Sequence, residues 1–199
     1  MAITSEMVKK LRGMTGAGVL DCRNTLEVCA GDFDRAVEAL REKGLATAEK
    51  KASRSANQGI IGSYVHTGSR AAAQVELNCE TDFVARNEGF QELAHDLAMQ
   101  VVAMRPRWVR PEEVPADVLS VEREIYRTQA LNEGKAERVL DRIVEGRLQK
   151  FYEQFCLTRQ AFIRDQDVSI EEVIKQKIAQ FGENIVVRRF SRLEVGETA

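Results

Sequence analysis

Apolar residues recur at spacings of three and four along the first 45 positions of the chain, which is the pattern of short amphipathic helices. Thr4 and Asp32 stand where helix-capping residues are expected, and Gly44 is predicted to end the third helix. The pattern therefore predicts a small bundle of three helices over residues 1–45. The residues predicted to face its interior are Met7, Val8, Leu11, Val19, Cys22, Leu26, Cys29, Phe33, Ala36, Val37 and Leu40.

Alternating apolar and polar residues replace the helical pattern after residue 58. Residues 59–66 and 71–79 are predicted to be two strands, and the segment between them has the length of a hairpin connection. A third candidate strand, rich in arginine, spans residues 185–195. Together these segments predict a small sheet of about three strands.

The second predicted strand gives way to a helical pattern within about two residues. Thr81 and Asp82 are both suited to cap that helix, because a side-chain oxygen can accept a hydrogen bond from a free backbone N–H. The junction therefore presents an acid and an aromatic, Asp82 and Phe83, side by side. Phe83 stands seven residues before Phe90, so in a continuous helix it would fall on the stripe that faces the core.

Helical patterns fill most of the remaining chain. A proline-containing stretch interrupts them after Met104, and further helices are predicted over about residues 116–131 and 136–157. Ser169 opens a capping box for a last helix that ends at Gly182. The predicted divisions of the chain are the bundle at 1–45, a polar linker at 46–58 and a core of mixed helices and strands at 59–199.

Composition and charge narrow the function classes. The chain has 199 residues, 44% of them hydrophobic and 30% charged, which is enough for an ordinary folded core. Its formal net charge of -2 predicts no global electrostatic attraction to nucleic acid. Its four cysteines match no zinc-binding spacing, which predicts buried free thiols in a reducing cytosol. The chain lacks an apolar run of roughly 18 residues and a signal segment, so we expect a cytoplasmic protein without membrane contact.

Three features suggest chemistry, and each has a plainer structural explanation. The glycine-rich residues 15–18 lack the preceding strand and the following lysine of a phosphate loop, which favours a turn between helices. Trp108 lies among arginines that could contact nucleic acid, but adjacent glutamates offset their charge and favour a connector with a packed tryptophan. Cys79 has no motif linking it to a histidine, and its inward phase favours an inert thiol. The sequence therefore predicts no enzyme.

Several stretches, in order along the chain, resemble the signatures of one family. They are residues 11–22, 31–34, 78–87, 143–147, 160–162 and 192–196. Any one of these stretches alone would be a weak match, whereas their common order makes the resemblance specific. On these motifs the chain is similar to bacterial elongation factor Ts over essentially its whole length.

The resemblance implies a fold and a function. In this family a bundle like a ubiquitin-associated domain precedes an α+β core with an antiparallel sheet. Members are guanine nucleotide exchange factors for elongation factor Tu: they disturb its Mg²⁺ and phosphate site and release GDP, without covalent chemistry or a cofactor. By resemblance, the segment that dislodges the Mg²⁺ site is Thr81, Asp82, Phe83 and Val84, and the bundle residues that contact the partner are Arg12, Val19 and Leu20.

The chain departs from the family in two respects. Longer members carry a second core subdomain and an inserted helical hairpin, whereas this chain holds one strand-strand-helix unit, so the resemblance to short members implies a homodimer. Ala161 stands where the family commonly has proline, which affects only a local turn. Two alternatives stay open: a ribosome- or RNA-associated adaptor that uses Trp108, and a thiol-dependent enzyme.

Overall fold

The computed structural model describes residues 2–197 and begins with three helices. They are α1 (Ser5–Thr15), α2 (Val19–Val28) and α3 (Phe33–Lys51). The Thr4 hydroxyl accepts a hydrogen bond from the Met7 N–H at 3.3 Å, and the Asp32 carboxylate accepts one from the Arg35 N–H at 3.1 Å. Both predicted caps are therefore confirmed. The buried side chains of the bundle are Val8, Leu11, Cys22, Leu26, Cys29, Ala36 and Leu40.

Two predictions for the bundle are wrong. α3 does not end at Gly44, because this glycine keeps a helical backbone and the buried Ala48 continues the inward stripe to Lys51. Val19 does not face the interior either: it is 54% exposed. As the first residue of α2 it points past the end of the helix, because helical side chains tilt toward the N-terminus. The division of the chain at residues 45 and 58 stays a prediction.

A three-stranded antiparallel sheet follows, as predicted. Its hairpin consists of β1 (Gln58–Val65) and β2 (Ala71–Cys79), and the chain continues into α4 (Asp82–Ala85) and α5 (Glu88–Met104). The later elements are α6 (Ala116–Asn132), α7 (Leu140–Phe155), β3 (Ala161–Phe162), β4 (Asp165–Ser169), α8 (Ile170–Phe181) and β5 (Val186–Glu194). The strand order is β1-β2-β5, so the last strand joins the sheet beside β2. The mixed helix and sheet class is thereby confirmed.

The sequence pattern does not predict the second sheet, in which β3 pairs antiparallel with β4. The two residues of β3 are too few to show alternation, and β4 is mostly exposed and polar. Ser169, predicted to cap a helix, is the last residue of β4. The helix itself begins at Ile170 and ends before Gly182, whose φ of 72° confirms the predicted stop.

The chain forms two compact units. One comprises the residues up to Ile60, Leu77–Glu92 and Glu172–Val186, and the other comprises Ile61–Glu76, Leu93–Glu171 and the residues from Val187 onward. In the second unit Gly62 lies directly against the backbone of Ala94, where a Cβ would meet the carbonyl oxygen at 2.4 Å. Across the part of the chain described, no helix combines the length and apolar character needed to span a bilayer.

Candidate partner-binding site

The junction between β2 and α4 is a capped, four-residue helical turn. Thr81 has an extended backbone, and its hydroxyl accepts a hydrogen bond from the Val84 N–H at 3.5 Å. Of the two candidate caps, Thr81 is the one used, and Asp82 becomes the first helical residue. An acid in the first turn is favoured there because the free N–H groups make the helix start electropositive.

Phe83 projects from this turn and is 81% exposed. The periodicity argument that placed it in the core is wrong, because the helix is not continuous. α4 ends at Ala85, and Asn87 starts a new helix: its side chain accepts from the Gly89 N–H at 2.9 Å and its carbonyl accepts from the Phe90 N–H at 3.0 Å. Phe83 and Phe90 therefore lie on different helices, and their seven-residue spacing does not place them on one face. In the structure Phe83 is exposed, as its role in the family resemblance implies.

The residues beside Phe83 differ in their surroundings. Ala85 is buried and fixes the turn to the fold, whereas Val84 is half-buried. Asp82 forms an ion pair with Arg86, one helical turn on, at 2.9 Å. Both side chains are substantially exposed, so the pair adds little stability. The turn therefore presents an exposed aromatic ring beside an acid in a solvent-exposed ion pair.

Beneath the turn lies Cys79, which is buried. Its thiol donates a hydrogen bond to the Thr81 carbonyl at 3.1 Å. Burial raises the pKa of Cys79, and the nearby charge of Glu183 raises it further. The thiolate is the nucleophilic form of cysteine, so a thiol held in its protonated form is poorly suited to covalent chemistry.

The two histidines of the chain have structural contacts on β1. The Tyr64 hydroxyl and His66 Nδ1 are 3.0 Å apart, and His95 Nδ1 lies 3.1 Å from the Ser63 carbonyl oxygen. The rings of Tyr64 and His95 also meet edge to face at 5.6 Å. Among the described residues there is no cluster of His, Cys, Asp and Glu that could hold a metal ion.

The predicted contact residues of the bundle lie where α1 turns into α2. Arg12 is exposed near the end of α1, and Val19 and Leu20 are 54% and 72% exposed at the start of α2. Met14, which sequence reasoning missed, is 57% exposed in the last turn of α1. Gly16 ends α1 with φ 67°, which confirms the predicted turn between the two helices.

Trp108 is a packed connector residue, as the sequence favoured. Its ring lies 6.0 Å from that of Phe151, and its carbonyl accepts a hydrogen bond from the Leu157 N–H at 2.9 Å. The guanidinium of Arg107 lies over the indole at 4.4 Å from the ring centre. This arrangement already occupies one ring face that a nucleic-acid base would need for stacking.

Sequence reasoning also missed Glu183 and Asn184, which follow Gly182. Both bind the segment that contains Thr81, more than 100 positions earlier. The only local signal is a pair of polar residues between a helix stop and a strand, and that pattern does not specify a distant partner. Their hydrogen bonds to Glu80 and Thr81 help to hold the turn in place.

Comparisons with known proteins agree with the motifs. A family model described as "Elongation factor TS" matches residues 29–197. The chain is 52% identical to a Carboxydothermus hydrogenoformans protein, across 98% of this chain and 90% of the relative, and 51% identical to one from Syntrophus aciditrophicus, across 99% and 98%. A Fervidobacterium nodosum relative is 52% identical across 99% of this chain and 100% of its own length. All three relatives are named "Elongation factor Ts".

Proposed function

The chain belongs to the elongation factor Ts family, and from that membership we propose that it is a guanine nucleotide exchange factor for elongation factor Tu in the cytoplasm. It serves protein biosynthesis as a translation elongation factor. It binds the Tu–GDP complex, disturbs the Mg²⁺ and phosphate site, and promotes GDP release so that GTP can bind. It needs no cofactor and catalyses no chemical reaction.

The exposure of Phe83 is the observation that carries this proposal. A large aromatic side chain that is 81% exposed loses apolar contact with water when a partner covers it. Desolvated aromatic anchors of this kind contribute on the order of 2 kcal/mol or more to an interface. The ring stands on a capped turn next to Asp82, so a rigid apolar wedge and an acid approach the partner together.

Thermodynamic coupling turns binding into exchange. Nucleotide and Mg²⁺ hold the switch segments of a GTPase through phosphate and metal contacts. A protein that binds best to the displaced arrangement of those segments weakens nucleotide binding by the same free energy with which nucleotide weakens its own binding. Wedging by Phe83 therefore releases GDP without covalent chemistry.

The bundle supplies a second proposed contact through Arg12, Val19 and Leu20. Two contact regions let the factor stay attached while the wedge engages the nucleotide site. The bundle then contributes affinity, and the turn at Phe83 contributes the displacement. Substitutions in the two regions should accordingly change different kinetic parameters.

A fluorescent-GDP release assay with elongation factor Tu tests the function. Catalytic amounts of the wild-type chain should accelerate release, and Phe83→Ala should slow it by on the order of tenfold or more. Val28→Ala is the matched control, because Val28 is also highly exposed but lies at the far end of α2. Absence of acceleration by the wild-type chain would refute the proposed function, and full activity of Phe83→Ala would remove the wedge.

The second proposed partner is another copy of the chain. The two edge strands of the main sheet carry exposed apolar side chains, with Ile61 and Val65 on β1 and Leu193 on β5. Edge strands that expose apolar residues are prone to pair with another chain. These residues support a homodimer.

A further inference from the structure

The turn formed by Thr81 and α4 is called the wedge turn, and the carboxylate of Glu183, in the loop after α8, contacts it. Oε2 of Glu183 accepts hydrogen bonds from the backbone N–H groups of Glu80 at 3.1 Å and Thr81 at 3.0 Å. Its Oε1 accepts a third from the Thr81 hydroxyl at 2.6 Å. Hydrogen bonds to an ionised acceptor are about twice as strong as neutral ones. Glu183 therefore satisfies three donors at the point where strand becomes helix.

The bond to the Thr81 hydroxyl also sets the direction of the helix cap. A hydroxyl has one proton and two lone pairs. Because the proton of Thr81 points to Glu183, the oxygen turns lone pairs toward the Val84 N–H that it caps. The carboxylate of Glu183 thus acts on α4 through Thr81.

A second set of bonds ties the same junction to the end of α3. The Glu80 carboxylate accepts from the Asn184 N–H at 2.7 Å and lies 3.6 Å from the Arg54 guanidinium. Asn184 is 3% exposed, and its side-chain amide donates to the carbonyls of Ala52 at 3.3 Å and Arg54 at 2.7 Å. The Glu183 carboxylate therefore binds the backbone N–H of Glu80, and the Glu80 carboxylate binds the backbone N–H of Asn184, so both acids are anchored.

The wedge turn needs this support because it is short. A helix of four residues is far below the length at which helices are stable alone. Phe83, at its second position, is too exposed to be held by packing of its own. The orientation of its ring therefore depends on the cap and on what holds the cap.

We propose that Glu183 is a positioning residue for nucleotide exchange: it keeps α4 folded and Phe83 directed outward before the partner arrives. This inference rests on the proposed exchange function. Preorganisation of this kind removes the cost of ordering a segment during binding. Glu183 itself need not contact elongation factor Tu.

Amide hydrogen exchange of the free protein tests the structural half of the proposal. Glu183→Gln should speed amide exchange at Val84 and Arg86 by about tenfold, because losing one hydrogen bond to a charged group changes the opening free energy by about that factor. Thr81→Val should do the same, and the double variant should add little, because both act on one cap. Glu92→Gln, at an exposed position of α5, is the matched control. Unchanged amide exchange in Glu183→Gln would overturn the proposal.

Nucleotide release tests the functional half. Glu183→Gln should lower the maximal rate of GDP release about tenfold while the half-saturating concentration changes less, because the bundle contact is intact. Glu92→Gln, the control of the amide-exchange experiment, should leave both quantities at their wild-type values. An equal maximal rate for wild type and Glu183→Gln would reject the positioning role alone. If the wild-type chain fails to release GDP, the exchange function fails, and amide exchange still decides whether Glu183 holds the turn.

Discussion

Gly44 of α3 and Ala179 of α8 approach so closely that a Cβ on the glycine would lie 3.3 Å from the Cβ of the alanine. A Cβ added to Gly16, between α1 and α2, would likewise lie 3.4 Å from the Cδ of Gln180. At both contacts a glycine of the bundle faces a side chain of α8. A glycine that resembles a helix stop in the sequence is an element of helix packing in the fold.

A larger residue at this contact should destabilise the protein. Gly44→Leu is expected to lower the free energy of unfolding by about 1–3 kcal/mol, because the added atoms must displace α8 or leave their preferred rotamers. Gly13→Ala is the matched control: it is also inside a helix, and a Cβ there meets nothing within 4 Å. That control should gain up to about 1 kcal/mol. Urea unfolding measures both, and a stable Gly44→Leu protein would contradict the close contact.

The proposed bundle contact predicts a difference between two exposed residues of the same helix. Leu20→Ala should raise the concentration of factor needed for half-maximal GDP release by about tenfold, because an apolar anchor is lost from the interface. Val28→Ala should leave that concentration unchanged. Neither substitution should alter the unfolding midpoint, since both side chains are exposed, at 72% and 85%. Equal effects of the two variants would remove Leu20 from the interface.

Stability should fall at alkaline pH through Cys156. Burial, followed by the charges of Glu112 and Glu113, raises the pKa of Cys156 from its ordinary 9.0 to about 11. Below pH 9 the thiol is protonated in both folded and unfolded chains. Between about pH 9 and 11 the unfolded chain releases the proton first, so folding loses up to about 3 kcal/mol.

The comparison of wild type with Cys156→Ala isolates this contribution. The variant loses some packing at every pH, but its unfolding free energy should decline less steeply over the alkaline range. Urea unfolding at neutral pH and at pH 10.5 gives, for each protein, the change in unfolding free energy with pH. An equal change in the two proteins would show that ionisation of the Cys156 thiol is not coupled to unfolding.

The proposed homodimer predicts that a charge placed on an edge strand lowers the mass of the particle in solution from that of a dimer to that of a monomer. Leu193→Glu places a carboxylate at an exposed apolar position of an edge strand, and burying it at an interface would be costly. Light scattering should show a dimer for wild type and a monomer for the variant at the same concentration. Val121→Glu, on an exposed face of α6, is the control. A monomeric wild-type chain would reject the dimer.

The elements and caps were predictable wherever the pattern is local. Thr4 and Asp32 cap the helices that follow them, the alternating residues of β2 are buried on one side, and Gly182 ends α8. The short β3 and β4 strands were not predictable, because they have too few apolar residues to show a period.

Local sequence patterns specify the mixed helix and sheet class, the main helices and strands, and the family motifs, because each depends on residues close together in the chain. The folded structure was needed to show that α3 runs past Gly44, that Asn87 breaks the helix and exposes Phe83, and that Glu183 binds the cap at Thr81. The last depends on side chains 102 positions apart, whose meeting no local period records.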